Sequence, residues 1–159
     1  MIEKIEEADV ISFDIFDTLL MRKVLYPTDV FELIEKELQL SEKFDFAAER
    51  IEAEKELLKK GITPTIYEIY ERMGEVVPLS RSEQNCLLEK EIEYEEKVLI
   101  ARREMVAVFR ECLRMEKSVY LVSDMYLTGE QLGRLLQKEG ISGYIKLIVS
   151  CENGCYSRR

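Results

Sequence analysis

The stretch that decides the fold is VISFDIFDTLL, residues 10–20 of a chain of 159 residues. A short β-favouring run leads into Asp14, and a second carboxylate, Asp17, follows three positions later beside Thr18. The run is β-branched and apolar on both faces, which predicts a strand that is fully buried. Two carboxylates so close together at the end of an apolar strand pose the question of what they do there.

Two further strands are predicted in the last third of the chain, in SVYLVSDMYL (118–127) and YIKLIVS (144–150). The first of them also ends in polar residues, Ser123 and Asp124. Helical patterns precede and separate the two strands. This order of helix, strand, helix and strand predicts an α/β fold with parallel strands joined by right-handed crossovers.

Between these regions the pattern is helical throughout, which predicts an inserted all-helical block at residues 22–100. Two capping boxes, Thr65 with Glu68 and Ser80 with Glu83, mark helix starts. Glycines at 61 and 74 are predicted helix ends. The chain is therefore divided into a core, residues 1–21 and 101–159, and a helical cap, residues 22–100.

Composition excludes several classes of function. The net charge is −9, and Glu and Lys alternate along helical stretches, which argues against a nucleic-acid partner. No long apolar run could cross a membrane, and the amino terminus lacks the basic region followed by an apolar one that is typical of a secretory leader. The four cysteines lack disulfide or zinc spacing, so reduced thiols and a cytoplasmic location are expected, with Cys151 and Cys155 as bystanders. The absence of histidine excludes Ser-His-Asp and Cys-His mechanisms.

The polar strand ends are the candidate functional site. Ligands of open parallel sheets bind at the carboxyl ends of strands. A carboxylate there can attack a phosphoryl group or bind Mg²⁺, and a neighbouring serine can hold a phosphoryl oxygen. The alternative is that Asp14 and Asp17 cap a turn and that Ser123 bonds to backbone. Two polar strand ends side by side favour the functional interpretation.

Three segments, SFDIFDTLLMR (12–22), FAAERIEAE (46–54) and VYLVSDMYL (119–127), resemble the haloacid dehalogenase-like superfamily. More narrowly, they resemble a subgroup of hydrolases associated with glycosyltransferases of surface-polysaccharide synthesis. The resemblance implies a Rossmann-like three-layer core with an inserted helical cap. It also implies a nucleophilic Asp14 that forms a covalent aspartyl intermediate, and Mg²⁺ held by the Asp14 side chain and the Phe16 carbonyl. Ser123 would hold phosphate, with Asp17, Thr18 and Asp124 in the same substrate-binding set.

Two departures from the family pattern bear on activity. Phosphatases of the superfamily carry a second aspartate where this chain has Phe16, which cannot transfer protons. The family also continues to a lysine and to a fourth strand with acidic metal ligands, whereas this sequence ends in SCENGCYSRR. Ser157 occupies the position that matches the family's lysine, and Arg158 or Arg159 would supply the positive charge instead. Because the fourth strand is missing, the core is expected to be incomplete.

An incomplete sheet would leave the first strand as an open edge. Open, apolar edges invite pairing with another chain. Self-association or marginal stability is therefore expected.

Candidate substrate contacts in the cap are Arg22 and Arg50, because an arginine binds phosphate or carboxylate through two parallel hydrogen bonds. The alternative for Arg50 is an ion pair with Glu54, four positions later on the same helix. Tyrosines at 67, 70 and 126 line an entrance or, at helical spacing, belong to the core.

Two functions follow from these observations. The first is a hydrolase that uses Asp14 and Mg²⁺, of phosphatase type, on a small phosphorylated metabolite or sugar phosphate. The second is a catalytically crippled module that binds a ligand or a partner in polysaccharide biosynthesis.

Overall fold

A computed structural model describes residues 2–153, without the side chains of residues 2–4, 41 and 153. Within that range the chain forms helices and strands in a mixed α/β order. The helices are α1 (Ile2–Glu7), α2 (Asp29–Leu38), α3 (Phe46–Lys59), α4 (Ile66–Val76), α5 (Arg81–Val98), α6 (Arg103–Arg114), α7 (Gly129–Lys138) and α8 (Ser150–Asn153). The strands are β1 (Val10–Asp14), β2 (Leu20–Arg22), β3 (Leu99–Ala101), β4 (Ser118–Ser123) and β5 (Lys146–Val149).

The central sheet has three parallel strands in the order β1-β4-β5. This confirms the prediction of three parallel strands separated by helices. In the register, Asp14 lies opposite Val122 and Ser123 lies opposite Val149. The carboxyl ends of the three strands therefore meet at one edge of the sheet.

The prediction that β1 is buried on both faces is wrong. Phe13 is buried, whereas Val10 is 61% exposed and Ser12 and Asp14 are also exposed. The alternation continues in β4, where Leu121 is buried and Val122 is exposed. One face of the sheet is thus covered and the other is partly open, because side chains alternate between the two faces along each strand.

Strand β1 lies at an edge of the sheet that residues 2–153 form, with β4 as its neighbour. The predicted open edge is therefore present in the described part of the chain. Self-association through this edge stays a prediction.

A short antiparallel ribbon, unpredicted from sequence, brackets the helical insertion. Strand β2 pairs with β3, so that Leu20 lies opposite Ala101 and Arg22 opposite Leu99. Strands of three residues are too short to show the alternation that identifies a strand. The ribbon brings the two ends of the helical block together.

The helical block consists of α2 to α5, which pack against one another. Both predicted capping boxes are present, at the starts of α4 and α5. The predicted helix end at Gly74 is wrong, because α4 continues to Val76. A Cβ at Gly74 would lie 2.3 Å from Gln84 Nε2, so this glycine permits close packing between α4 and α5.

None of the helices within residues 2–153 is long and apolar enough to cross a membrane.

Helix α6 covers the sheet through an aromatic contact. The rings of Phe13 and Phe109 meet edge to face, with centroids 5.7 Å apart. Phe109 has no exposed surface. Edge-to-face pairs add stability beyond the area that they bury.

We expect Phe109→Ala to lower the free energy of unfolding by about 3–5 kcal/mol, because it leaves a cavity beneath β1. Urea denaturation measures this loss. The exposed Tyr26→Ala is the matched control and should change stability by less than about 0.5 kcal/mol. Equal losses in the two variants would contradict the described packing of α6.

Candidate active site at the strand ends

A tight turn follows β1 and fixes the position of Asp14. The Ile15 carbonyl accepts hydrogen bonds from the backbone N–H groups of Thr18, Leu19 and Leu20 at 3.4, 2.8 and 2.8 Å. Ile15 and Leu19 are fully buried and anchor the turn. The Thr18 hydroxyl donates to Asp14 Oδ2 at 3.3 Å, so the exposed carboxylate is oriented by its own turn.

Asp17 takes a strained backbone conformation in this turn. Its φ is +58°, in the left-handed region that residues other than glycine rarely adopt. Its carbonyl accepts a hydrogen bond of 2.9 Å from Arg102 Nη1, which helps hold the turn. Arg102 was not predicted as a site residue, because the contact joins positions that are far apart in sequence.

Ser123 ends β4 with a hydroxyl that has no hydrogen-bond partner among residues 2–153. The residue is 2% exposed, and its Oγ has no hydrogen bond within the described part of the chain. Buried polar groups are nearly always hydrogen-bonded, so an unpaired one points to a water or ligand. A serine hydroxyl both donates and accepts, which suits a phosphoryl oxygen.

Asp14 and Ser123 lie at the ends of neighbouring strands. Ser123 follows Val122, the register partner of Asp14. By alternation Asp14 belongs to the open face and Ser123 to the covered face, so a ligand that touches both must lie across the strand ends. No hydrogen bond joins the two side chains, both of which lie in the described part of the chain.

Asp124 is held by the next strand end. The Ser150 hydroxyl, at the start of α8, donates to Asp124 Oδ1 at 2.7 Å and accepts from the Met125 backbone N–H at 3.2 Å. Ser150 was not predicted, although it directly follows β5. This contact fixes the loop that leaves β4, named here the exit loop (residues 124–127).

Phe16 is covered by Arg22. The Arg22 guanidinium lies 4.6 Å from the centre of the Phe16 ring, a cation–π contact. Arg22 Nη2 also pairs with Glu95, at 3.3 Å from Oε2. Its Nε is buried and has no partner among the described residues. The predicted substrate ligand Arg22 therefore lies beside the motif but already pairs with a carboxylate.

Arg50, the other predicted substrate ligand, lies inside the helical block. Its Nε and Nη2 donate to the two oxygens of Glu91, each at 2.9 Å, and its Nη1 donates to Glu54 at 2.8 Å. The alternative pair with Glu54 is thus present. The guanidinium also lies 4.7 Å from the ring centres of Phe31 and Tyr126. With no exposed surface and two carboxylate partners, Arg50 serves the packing of the helices in this structure.

The three tyrosines have different positions. Tyr70 is buried and donates to Glu91 at 2.8 Å. Tyr126 donates to Glu95 at 3.2 Å, whereas Tyr67 is exposed. Burial and then the nearby Glu91 raise the pKa of both Tyr70 and Tyr126 well above the ordinary value.

Sequence reasoning missed Glu91 and Glu95, the buried acids of α5. Their signal was available: spaced by four, they lie on the same helix stripe as the buried Leu88 and Val98. Burial raises the pKa of the Glu95 carboxyl, and Glu91 raises it further, while Arg22 and Tyr126 act in the opposite direction. A carboxylate on an apolar stripe predicts a buried cation, here Arg50 and Arg22.

The thiol of Cys151 is not activated. Burial, followed by the charge of Glu152, raises its pKa to about 11, so it is protonated at neutral pH. Its Sγ donates to the Leu127 carbonyl at 3.4 Å. Cys155, Ser157, Arg158 and Arg159 lie outside the described residues.

The described residues contain no group of three His, Cys, Asp or Glu side chains placed to hold a metal ion. The predicted ligands of Mg²⁺ are the Asp14 carboxylate and the Phe16 carbonyl. Both are hard oxygen donors, the kind that Mg²⁺ prefers, and Mg²⁺ commonly keeps several waters and shares substrate phosphate. The pair fits such a partly hydrated ion.

No protein-family model matches the chain, and no curated protein matches it.

We expect Arg50→Leu to lower the free energy of unfolding by about 3–5 kcal/mol, because Glu91 is left buried without a cation. Urea denaturation tests this. The control is Arg114→Leu. The Arg114 side chain is 74% exposed beside Glu111, so its loss should change the free energy of unfolding by less than about 1 kcal/mol. An unchanged stability in Arg50→Leu would refute the structural role of Arg50.

Glu95 should make stability depend on pH in an unusual direction. A carboxyl whose pKa is raised by folding binds more protons in the folded state, so its ionisation costs stability as pH rises above its ordinary pKa. The stability advantage of the wild type over Glu95→Gln should therefore shrink as pH rises from about 4.5. Thermal unfolding across pH measures it.

A control for this titration is Glu93→Gln, on the same helix. Hydrogen bonds from Lys97 and Lys90 lower the pKa of Glu93 to about 2. The advantage of the wild type over this variant should grow as pH rises from 2 to 4.5. The same sign in both variants would rule out the described environment of Glu95.

Proposed function

We propose that the chain is a hydrolase of the haloacid dehalogenase-like type with a Rossmann-like core. Its substrate class is a small phosphorylated metabolite or sugar phosphate. The observation that carries this proposal is the buried hydroxyl of Ser123, unpaired among residues 2–153, at the strand end next to the one that carries the exposed carboxylate of Asp14. The first group is available to an anion, and the second is available as a nucleophile.

The reaction proposed has two displacements at phosphorus. An Asp14 oxygen attacks, an Asp14–phosphorus bond forms, and the bond between phosphorus and the leaving oxygen breaks. Water then attacks the same phosphorus, which releases inorganic phosphate and restores the Asp14 carboxylate. The hydrogen bond from Thr18 is to Oδ2, so Oδ1 of Asp14 would make the attack.

The phosphoryl oxygens would be held from two sides. The Ser123 hydroxyl would donate from the end of β4, and backbone N–H groups of the turn at residues 15–18 would donate from the end of β1. Asp17 sets the course of this turn, and Asp124 fixes the exit loop. When bound at Asp14 and the Phe16 carbonyl, Mg²⁺ would neutralise charge on the phosphoryl group.

Phe16 limits the chemistry. General acid–base help is typically worth about 10²–10⁴ in rate, and neither Phe16 nor the guanidinium that covers it supplies a readily transferred proton. The leaving oxygen must then take its proton from water. Esters with good leaving groups should be the better substrates.

The second candidate is a module that binds a phosphorylated ligand, or a partner protein, without turnover. The same Phe16 favours it, as does the pairing of Arg22 and Arg50 with glutamates. Phosphate binding at Ser123 would then be retained although Asp14 forms no covalent bond. Measured turnover separates the two functions.

We expect the wild type to hydrolyse p-nitrophenyl phosphate with Mg²⁺, and Asp14→Asn to abolish this activity. Ser123→Ala should lower kcat/KM by about 10-fold or more, since a hydrogen bond to a charged group is worth about 1.5–3 kcal/mol. Release of p-nitrophenol measures both. The control is Ser118→Ala, at the opposite end of β4, which should keep full activity.

Equal inertness of the wild type and Asp14→Asn, with phosphate binding that depends on Ser123, would select the binding module. Turnover that survives in Asp14→Asn would exclude Asp14 as the nucleophile.

A further inference from the structure

A cavity lies beside the exit loop, and of the predicted substrate-binding residues only Asp124 lines it. Its volume is about 220 Å³. It lies between the exit loop and the helical block, and its lining is Glu54, Leu58, Thr63, Pro64, Asp124, Met125 and Tyr126. Sites for drug-sized ligands are typically about 300–1,000 Å³, so this cavity fits one small group.

The two walls of this exit-loop cavity are joined. The Tyr126 carbonyl, in the exit loop, accepts a hydrogen bond of 2.8 Å from the Ile66 backbone N–H at the start of α4. Residues 63 and 64 precede the N-cap of that helix, Thr65, so the bond holds them against the exit loop. Asp124 follows Ser123, which places the cavity next to the proposed phosphate site.

The polar groups of the cavity select its ligand. The Thr63 hydroxyl is buried and has no hydrogen-bond partner within the described part of the chain. Glu54 gives one oxygen to Arg50. Among residues 2–153, neither lysine nor arginine lines the cavity. A second phosphate would therefore meet carboxylates and no cation from this part of the chain, which makes a diphosphate unfavourable.

The charge of the cavity does not call for a cationic ligand either. The carboxylate of Glu54 is already matched by Arg50, at 2.8 Å. Asp124 accepts a hydrogen bond from Ser150. What the lining offers is acceptor oxygens, one hydroxyl that can both donate and accept, and the apolar surfaces of Leu58, Pro64 and Met125. A short carbon chain or ring with neutral hydroxyl groups matches this lining, because its hydroxyls can bond to the acceptor oxygens and to the hydroxyl, and its carbons can contact the apolar surfaces.

We propose that the exit-loop cavity binds the hydroxyl-bearing part of a polyol monophosphate, with the Thr63 hydroxyl and the Glu54 carboxylate as its hydrogen-bond partners. This inference rests on the proposed function for the position of the phosphate, but the cavity itself is testable alone. It narrows the substrate class to compounds with one phosphate and a neutral, hydroxylated remainder.

The experiment follows the methyl resonance of Met125 in protein labelled with ¹³C at the methionine methyl groups. Met125→Leu assigns the signal. Glucitol 6-phosphate is titrated into Asp14→Asn with Mg²⁺, and unphosphorylated glucitol is titrated into the wild type. Both should shift the Met125 signal in a saturable manner, with glucitol binding more weakly. Inorganic phosphate and phosphoethanolamine should not shift it in this way.

Thr63→Val removes the hydroxyl and keeps the shape, so it should weaken glucitol 6-phosphate binding about 3- to 10-fold, the effect of one hydrogen bond. Thr63→Ser keeps the hydroxyl and should restore binding, which guards against a folding defect. The matched control is Thr28→Val, an exposed threonine without a side-chain cap bond. Unchanged binding in Thr63→Val would overturn the proposal, as would a stronger response to phosphoethanolamine.

The two proposals fail separately. Hydrolysis of p-nitrophenyl phosphate without any Met125 response to glucitol or its phosphate would overturn the cavity assignment and keep the hydrolase. A response to glucitol that Thr63→Val removes, in a protein without turnover, would keep the cavity and overturn the hydrolase.

Discussion

The buried pair between Arg50 and Glu91 is the constraint on which the helical block depends. Arg50 joins α3 to α5 through two parallel hydrogen bonds, and its charge is shared with Glu54 and with two aromatic faces. Burial by itself lowers the pKa of Arg50, but Glu91 raises it well above the ordinary value, so the guanidinium stays charged. Such a pair adds little stability over apolar packing, yet losing one partner is costly, which fixes how the helices fit together.

The same network reaches the strand ends. Glu95, one helical turn after Glu91, pairs with Arg22 of β2 and accepts from Tyr126 of the exit loop. Helical block, ribbon and sheet are thereby linked by buried polar contacts, which have strict geometry and tolerate few alternative arrangements. Both arginines expected to meet substrate belong to this network, whereas the buried Ser123 hydroxyl, at the carboxyl end of β4, has no hydrogen-bond partner among the described residues. The proposed chemistry depends on this difference between the arginines, which are paired, and the Ser123 hydroxyl, which is not paired among the described residues.

Much of the fold could be predicted from the sequence because the patterns that indicate helices and strands involve neighbouring residues. Three β-favouring runs and the helices between them predicted the parallel sheet, and hydroxyl and acid pairs predicted two helix starts. Glycine was a weaker guide: Gly61 follows α3 with a φ of +79°, but Gly74 lies inside α4. The short ribbon of β2 and β3 escaped prediction, since its pairing joins residues about eighty positions apart and leaves no periodic trace.

By itself, the sequence determined the order of strands and helices and the polar residues at the strand ends, because propensity, periodicity and caps act over a few neighbouring residues. Only the tertiary structure decided which of those polar residues are used internally. Arg50 and Arg22 meet buried glutamates, Asp124 meets Ser150, and Ser123 meets no described partner. A side chain's partner depends on packing between distant segments, and burial turns an unmatched charge or hydroxyl into a large free-energy cost that a linear pattern does not reveal.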